Sequence, residues 1–124
     1  MTILEQTGKA PARDVRANSA AVSLFRSLGD PARLAIVQDL ADNGPMRVTD
    51  LVSQLGLAQS TVSAHLACLR ECGLVDAQPM GRASVYSLTR PELPALLKAA
   101  EQLLAATGYA VDLCGTSGSD ARGR

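Results

Sequence analysis

The stretch TDLVSQLGLAQSTVSAHLACLRECG, residues 49–73, decides the fold of this chain. Its first part has apolar residues at the spacing of a short amphipathic helix, for which Thr49 is the predicted N-cap and Gly56 the stop. A second helix follows after a tight connection, with Ser60 as its predicted cap, and it runs as far as the glycine at position 73. Two short helices joined by a few residues around a glycine predict a helix-turn-helix.

Segments on both sides of this motif extend it to a winged helix. Residues 74–75 and 84–88 have the composition of two strands, with Gly81 in the loop between them, which predicts a β-hairpin wing. Upstream, Asp30 followed by Pro31 is typical of a helix start, because Asp caps well and Pro suits the first helical position. The predicted fold class is therefore mainly α with a small β-hairpin. The flanking helical patterns cover residues 16–28, 31–43 and 91–107.

The 124 residues are enough for one domain with a modest core. Hydrophobic residues make up 47% of the chain but aromatic residues only 2%, so the core must consist of aliphatic side chains, which favours a helical protein. Small domains often complete their burial by dimerising. We expect a flexible N-terminal arm over 1–16, a winged helix-turn-helix domain with dimerisation helices over 17–108, and a tail over 109–124 that carries Cys114.

The net charge is zero, so the distribution of charge matters more than its sum for nucleic-acid binding. No acidic residue occurs between Leu51 and Arg70, so that stretch would not repel a phosphate backbone. No apolar run approaches transmembrane length, and Glu5 interrupts any signal-peptide core. We therefore expect a soluble cytoplasmic protein, with no membrane partner, whose three cysteines stay reduced.

The N-terminal half of the second helix carries side chains suited to reading double-stranded DNA. In a helix-turn-helix this half lies in the major groove, where Gln pairs with adenine and Ser or Thr bonds bases or phosphates. Arg at the wing tip can reach neighbouring phosphates. Each residue alone is more typical of a solvated surface helix, but the ordered combination of helix-turn-helix, wing and long apolar flanking helix favours DNA binding. The candidate DNA-binding residues are Gln59, Ser60, Thr61, Ser63, His65 and Arg82.

Two stretches resemble the ArsR/SmtB family of repressors. FRSLGDPARL, residues 25–34, is similar to a signature of the family, and QSTVSAHLACL, residues 59–69, is similar to its recognition helix. The Gly81-Arg82 wing and VYSL at 85–88 fit as well, so the resemblance covers about residues 20–107. It implies a homodimer, paired through its first and last helices, that represses an operon until an inducer releases it from DNA.

The cysteines add a second kind of chemistry. Cys68 and Cys72 are four residues apart on the second helix of the motif. Residues at this spacing share a face with Cβ atoms about 5–6 Å apart. That is too far for an unstrained disulfide, whose Cβ atoms lie about 3.8 Å apart. A metal ion can span two such thiolates, and Cys114, expected on a movable segment, could complete a three-sulfur site for a thiophilic ion.

The cysteine pattern resembles one subgroup of the family. CLRECGL, residues 68–74, together with one cysteine in the tail, is similar to the CmtR-type cadmium and lead sensors. The resemblance implies Cd(II) or Pb(II) as inducer at Cys68, Cys72 and Cys114, with the tail cysteine acting in its own chain or in the partner chain.

Several alternatives stay open. Zn(II) or As(III) could be the ion, with His65 drawn into a Cys2His zinc site or Asp112 lending an oxygen ligand. The thiols could be structural, or part of a redox switch, in a constitutive winged-helix protein. An enzyme is disfavoured, because the sequence offers no nucleophile with a base, no phosphate loop and no paired acids, and hence no small-molecule substrate.

Overall fold

The computed structural model describes residues 12–109 and Leu113. Most of the predicted arm and almost all of the predicted tail, including Asp112 and Cys114, lie outside these residues, so the domain boundaries stay predictions. A 3-10 turn over Val15–Asn18 leads into the first helix. The elements that follow are α1 (Ser19–Leu28), α2 (Pro31–Asn43), β1 (Met46–Arg47), α3 (Val48–Leu55), α4 (Gln59–Glu71), β2 (Val75–Met80), β3 (Ala83–Leu88) and α5 (Glu92–Ala106).

The predicted winged helix-turn-helix is confirmed, with α3 and α4 as the helix pair and β2–β3 as the wing. The sheet has a third strand that the sequence analysis missed, because two residues are too short to show a periodic pattern. The strand order is β1-β3-β2, all antiparallel, and Met46 of β1 pairs with Tyr86 of β3. β2 is also longer than predicted and contains Pro79, which is tolerated because β2 is an edge strand.

Aliphatic side chains build the core, as the composition predicts. α4 is its centre, because Val62, Leu66 and Leu69 are completely buried and fix one face of that helix against α2, α3 and β2. Burying a side chain of this size stabilises the fold by about 1.5–3 kcal/mol. The buried hydrophobic residues are Ile36, Val37, Leu40, Met46, Leu51, Val62, Leu66, Leu69, Val75, Leu93 and Leu97.

Asp30 caps α2 as predicted, since its side chain accepts a hydrogen bond from the Arg33 backbone N–H at 3.0 Å. The other two predicted caps are wrong. α3 begins one residue before Thr49, and the Asp50 carboxylate instead accepts from the Arg47 backbone N–H. α4 begins before Ser60, after an extended Ala58 that has no side chain able to cap. The physical reason is that Asp50, in the first turn of α3, takes the capping role there, whereas the tight α3–α4 connection, rather than a capping side chain, fixes where α4 starts.

Gly56 allows the tight turn between α3 and α4. Its φ is 69°, in the left-handed region, and its N–H closes the end of α3 on the Val52 carbonyl. The predicted stop at this glycine is confirmed. No helix in residues 12–109 is long and apolar enough to cross a membrane.

Candidate functional site

The first turn of α4 is a polar, exposed surface. Gln59, Ser60, Thr61 and Ser63 are all exposed, and the turn carries no acidic side chain. No side chain in the described part of the chain caps this helix end. Its first backbone N–H groups therefore remain available to a phosphate, at the positive end of the helix dipole.

One flank of α4 faces the wing. A shallow groove runs between the start of α3, the start of α4 and β3, and Gln59 lines it. At the far end of the wing, Gly81 has a φ of 66° and closes the turn between β2 and β3, where Arg82 is exposed. Gln59 and Arg82 are thus open to a ligand on the wing side of the helix.

His65 is placed differently from the other five predicted DNA-binding residues. Its side chain is 21% exposed, and its Nδ1 lies 3.3 Å from Arg33 Nη1. Since a guanidinium only donates, Nδ1 accepts, which puts the imidazole proton on Nε2. Nε2 points toward Asp30, at 3.8 Å from its Oδ2. His65 therefore packs on the start of α2.

The Asp30 carboxylate is the anionic group of this cluster. Its pKa lies below the ordinary value, first because it accepts the hydrogen bond from the Arg33 backbone N–H. The charge of the Arg33 guanidinium lowers the pKa further, as does His65 in its protonated form, against the opposing effect of desolvation. Asp30 therefore caps the start of α2 as an ionised carboxylate.

The two cysteines of α4 lie on the same flank as His65. Cys68 is half-buried, Cys72 is exposed, and both are free thiols. Cys72 is the C-cap residue of α4, and its Sγ lies 3.0 Å from Ser27 Oγ at the end of α1. Two sulfurs one helical turn apart suit a soft ion as two of its ligands.

Among the described residues, no group of three His, Cys, Asp or Glu side chains comes together as a metal site. The Cys2His zinc alternative is thus not assembled, because His65 is engaged by Asp30 and Arg33. The predicted third sulfur, Cys114, and the oxygen alternative, Asp112, both lie outside the described residues. Of the three predicted sulfur ligands, the described residues contain Cys68 and Cys72.

Comparison with known proteins identifies the family. A profile described as "Bacterial regulatory protein, arsR family" matches residues 30–77, from α2 to the start of β2. The transcriptional regulator CmtR of Mycobacterium tuberculosis is 38% identical over 111 residues, which cover 79% of this chain and 93% of CmtR. The chain belongs to the ArsR family. ArsR-family proteins are transcriptional regulators that bind DNA and are usually dimers.

Two further ArsR-family comparisons concern metal ions. A probable mercury resistance operon repressor of Streptomyces lividans is 37% identical over 90 residues, covering 73% of this chain and 71% of that protein. The NMR structure of the cadmium metal-sensor CmtR from Mycobacterium tuberculosis superposes with a TM-score of 0.58 and 40% identity, covering 73% and 90% of the two chains. Close relatives of this ArsR-family chain therefore include named metal-responsive regulators.

Two residues of this ArsR-family site, Ser27 and Arg33, were not predicted from the sequence. Ser27 is buried beside Cys72, and Arg33 Nε donates to the Ser27 carbonyl at 3.0 Å. Both lie in the quoted family stretch at 25–34, but nothing in their spacing shows which side chains of α4 they meet. No local signal marks Ser27, because it follows the charged Arg26 in the last turn of α1 and a serine there is typical of an exposed helix end.

The tail also contacts its own chain at one described point. The Gln38 amide donates to the Leu113 carbonyl at 3.3 Å, and the Leu113 N–H donates to the Glu101 carboxylate. The Leu113 side chain packs against the core. Leu113, the residue before Cys114 in the sequence, therefore lies against α2 and α5.

Proposed function

We propose that this ArsR-family chain is a dimeric repressor that leaves its operator when a thiophilic ion, Cd(II) or Pb(II), binds Cys68, Cys72 and Cys114. The observation that carries the proposal is the pair of free thiols on the recognition helix itself, one turn apart. Likeness to a cadmium sensor at 40% identity supports the same ions. An ion held by these sulfurs supplies a strong bond between the recognition helix and the tail.

Operator binding would use the exposed start of α4. Gln59, Ser60, Thr61 and Ser63 meet base edges in the major groove, and the uncapped helix N-terminus meets a phosphate. Arg82 neutralises a phosphate beside the wing. For His65, the contacts with Asp30 and Arg33 favour a supporting role, in which it holds α4 against α2 while its neighbours read the bases.

The dimer would form through α1 and α5. Both helices expose large apolar side chains, with Phe25 60% exposed and Leu103 66% exposed, and Val22 of α1 is also exposed. Several large exposed apolar side chains on a small domain are typical of a protein–protein interface. A second copy of the chain fits it best, since a two-fold dimer would present both α4 helices to two half-sites on one face of the DNA.

The mechanism follows from where the sulfurs lie. Cys72 ends the same helix whose start reads DNA, so binding the tail to Cys68 and Cys72 would re-orient α4 as a rigid unit. A dimer tolerates little change in the spacing of its two recognition helices. A coupling of about 1–3 kcal/mol would lower operator affinity roughly 5- to 150-fold.

Fluorescence anisotropy on a duplex from the protein's own promoter tests the proposal. We expect Cd(II) to release the reduced wild-type protein but not Cys72→Ser or Cys114→Ser. Ser117→Ala is the control in the tail and should respond like wild type, whereas a lost response in Asp112→Asn would mean that an oxygen ligand takes part. Competition by Pb(II), Zn(II), Hg(II) and arsenite ranks the ions. If Cd(II) leaves wild type bound to the duplex, the metal-sensor proposal is wrong.

A further inference from the structure

Three helices meet through a short chain of polar contacts on one flank of α4. The Ser27 hydroxyl lies 3.0 Å from Cys72 Sγ, and the Ser27 carbonyl accepts from Arg33 Nε, also at 3.0 Å. The same guanidinium donates through Nη1 to His65 Nδ1 at 3.3 Å. The contacts therefore run from the C-terminal end of α4, through α1 and α2, back to the middle of α4.

Packing alone does not explain Ser27. It is 5% exposed and is the one buried polar residue among those that the structure describes. An alanine would fill nearly the same volume without a hydroxyl that needs a partner. The partner it has is the thiol of Cys72, on an exposed residue of another helix. The contact therefore fixes the position of Cys72 more than it stabilises the interior.

Arg33 uses the fork of its guanidinium to join two elements. Nε binds α1 through the Ser27 carbonyl, while Nη1 binds α4 through His65. A lysine ammonium is a single point and cannot hold both groups in this geometry. His65 and Cys72 are seven residues apart in sequence, or about 10 Å along the helix. The end of α1 and the start of α2, here called the α1–α2 corner, therefore contact α4 at two separate points, Cys72 and His65.

We propose that Ser27 and Arg33 are positioning residues that couple the Cys72 end of α4 to its DNA-reading half. The inference rests on the proposed function for its regulatory meaning, but the contacts themselves are independent of any metal. If the two ends are coupled, DNA bound at the start of α4 must alter the environment of Cys72, because linkage between two sites is reciprocal.

The test measures this reciprocal effect without a metal. The full-length reduced protein is treated with iodoacetamide, with and without the promoter duplex, and alkylation of Cys72 and Cys68 is followed separately by mass spectrometry. The variants are Ser27→Ala and Arg33→Lys. Their matched controls are Ser23→Ala and Arg26→Lys, exposed residues of α1 with the same side-chain types. Thermal unfolding verifies that each variant is folded.

In wild type and both controls we expect the duplex to slow Cys72 alkylation about threefold or more, the effect of roughly one hydrogen bond. In Ser27→Ala and Arg33→Lys this protection should largely disappear while the variants stay folded. Direct shielding of Cys72 by DNA would persist in the variants, so equal protection in all five proteins overturns the inference. Absence of protection in wild type overturns it as well.

Adding Cd(II) to unalkylated samples of the same five proteins, with the duplex present, separates this inference from the proposed function. If Cd(II) fails to release wild type but the duplex still protects Cys72 through Ser27 and Arg33, the metal-sensor assignment fails and the coupling stands. If Cd(II) releases wild type and both variants equally, and protection is unchanged, the coupling is wrong and the sensor assignment stands.

Discussion

The two halves of α4 are built on different principles. Its N-terminal half, from Gln59 to Ser63, presents polar side chains to solvent and has no side-chain cap among the described residues. The rest of the helix, from its midpoint at His65 to its C-cap at Cys72, is held by other helices, since His65 contacts α2 and Cys72 contacts α1. Both halves share one buried face, so the contrast lies in the flanks and not in the core.

Under the proposed function, this difference lets one helix serve DNA binding and regulation together. A surface that meets DNA must leave its polar groups without protein partners, because those partners would compete with the bases. A surface that transmits a signal needs protein contacts that can be rearranged. Separating the two along one rigid helix lets a change at the C-terminal end move the N-terminal end without altering its side chains.

The largest effect is expected from a substitution in the buried face that runs along both halves of α4. Leu66 is completely buried between them. Leu66→Ala should lower the free energy of unfolding by about 2–5 kcal/mol, since it removes buried methyl groups and leaves a cavity. Urea unfolding at one fixed protein concentration measures this loss, and Ala64→Ser on the exposed face is the control. A loss below about 1 kcal/mol would mean that the α4 core can repack.

A substitution in the N-terminal half of α4 should weaken DNA binding without changing the stability of the fold. Gln59→Ala should weaken operator binding about 5- to 150-fold, the worth of about 1–3 kcal/mol for one base contact. The unfolding temperature should not change, because Gln59 is exposed. Gln54→Ala, an exposed glutamine of α3, is the matched control. Equal weakening by both variants in anisotropy titrations would argue against base reading by Gln59.

Removing the charge of Asp30, which lies next to His65, should change how the stability of the protein depends on pH. The pKa of Asp30 is lowered from its ordinary value of 3.8. The ionised carboxylate therefore stabilises the fold fully at pH values above 3.8, and this contribution is lost as the pH falls through the lowered pKa. Asn caps as well as Asp, so Asp30→Asn removes only the charge. Wild type should unfold at a higher temperature than Asp30→Asn near pH 6, and the gap should close in strong acid.

Asp30→Ala is the contrasting variant, because it removes both the cap and the charge. Its stability deficit should persist at every pH. If Asp30→Asn and wild type unfold at the same temperature across the whole pH range, the charge of Asp30 does not stabilise the α1–α2 corner.

The smallest effect is expected at Asp39, farther along α2, where a substitution should raise the free energy of unfolding instead of lowering it. Burial, followed by repulsion from Asp42, raises the pKa of Asp39, and its Oδ2 is buried without a hydrogen-bond partner among the described residues. A raised carboxyl pKa costs stability as pH rises above 3.8. Asp39→Asn should therefore gain up to about 0.5 kcal/mol at neutral pH, since solvent screens much of the effect. Differential scanning calorimetry that showed a loss would contradict this.

Much of this architecture could be predicted from residues whose effects are local. Asp30-Pro31, Gly56 and Gly73 mark where helices begin or end, because the conformations they favour depend on the residues themselves. The caps at Thr49 and Ser60 were predicted by the same reasoning and were wrong, because the connections around α3 and α4 depend on neighbouring elements. β1 was missed for the same reason, since a two-residue strand exists only through its pairing with β3.

The sequence by itself determined the winged helix-turn-helix, the aliphatic core, the polar start of α4 and the pairing of two cysteines on one helix. Those follow from periodicity, turn chemistry and the i, i+4 geometry of a helix. Only the tertiary structure decided that His65 faces Asp30 and Arg33, that Ser27 meets Cys72, and that Leu113 returns to α2 and α5. Contacts of that kind join residues far apart in sequence, so they depend on how whole helices pack and leave no local pattern.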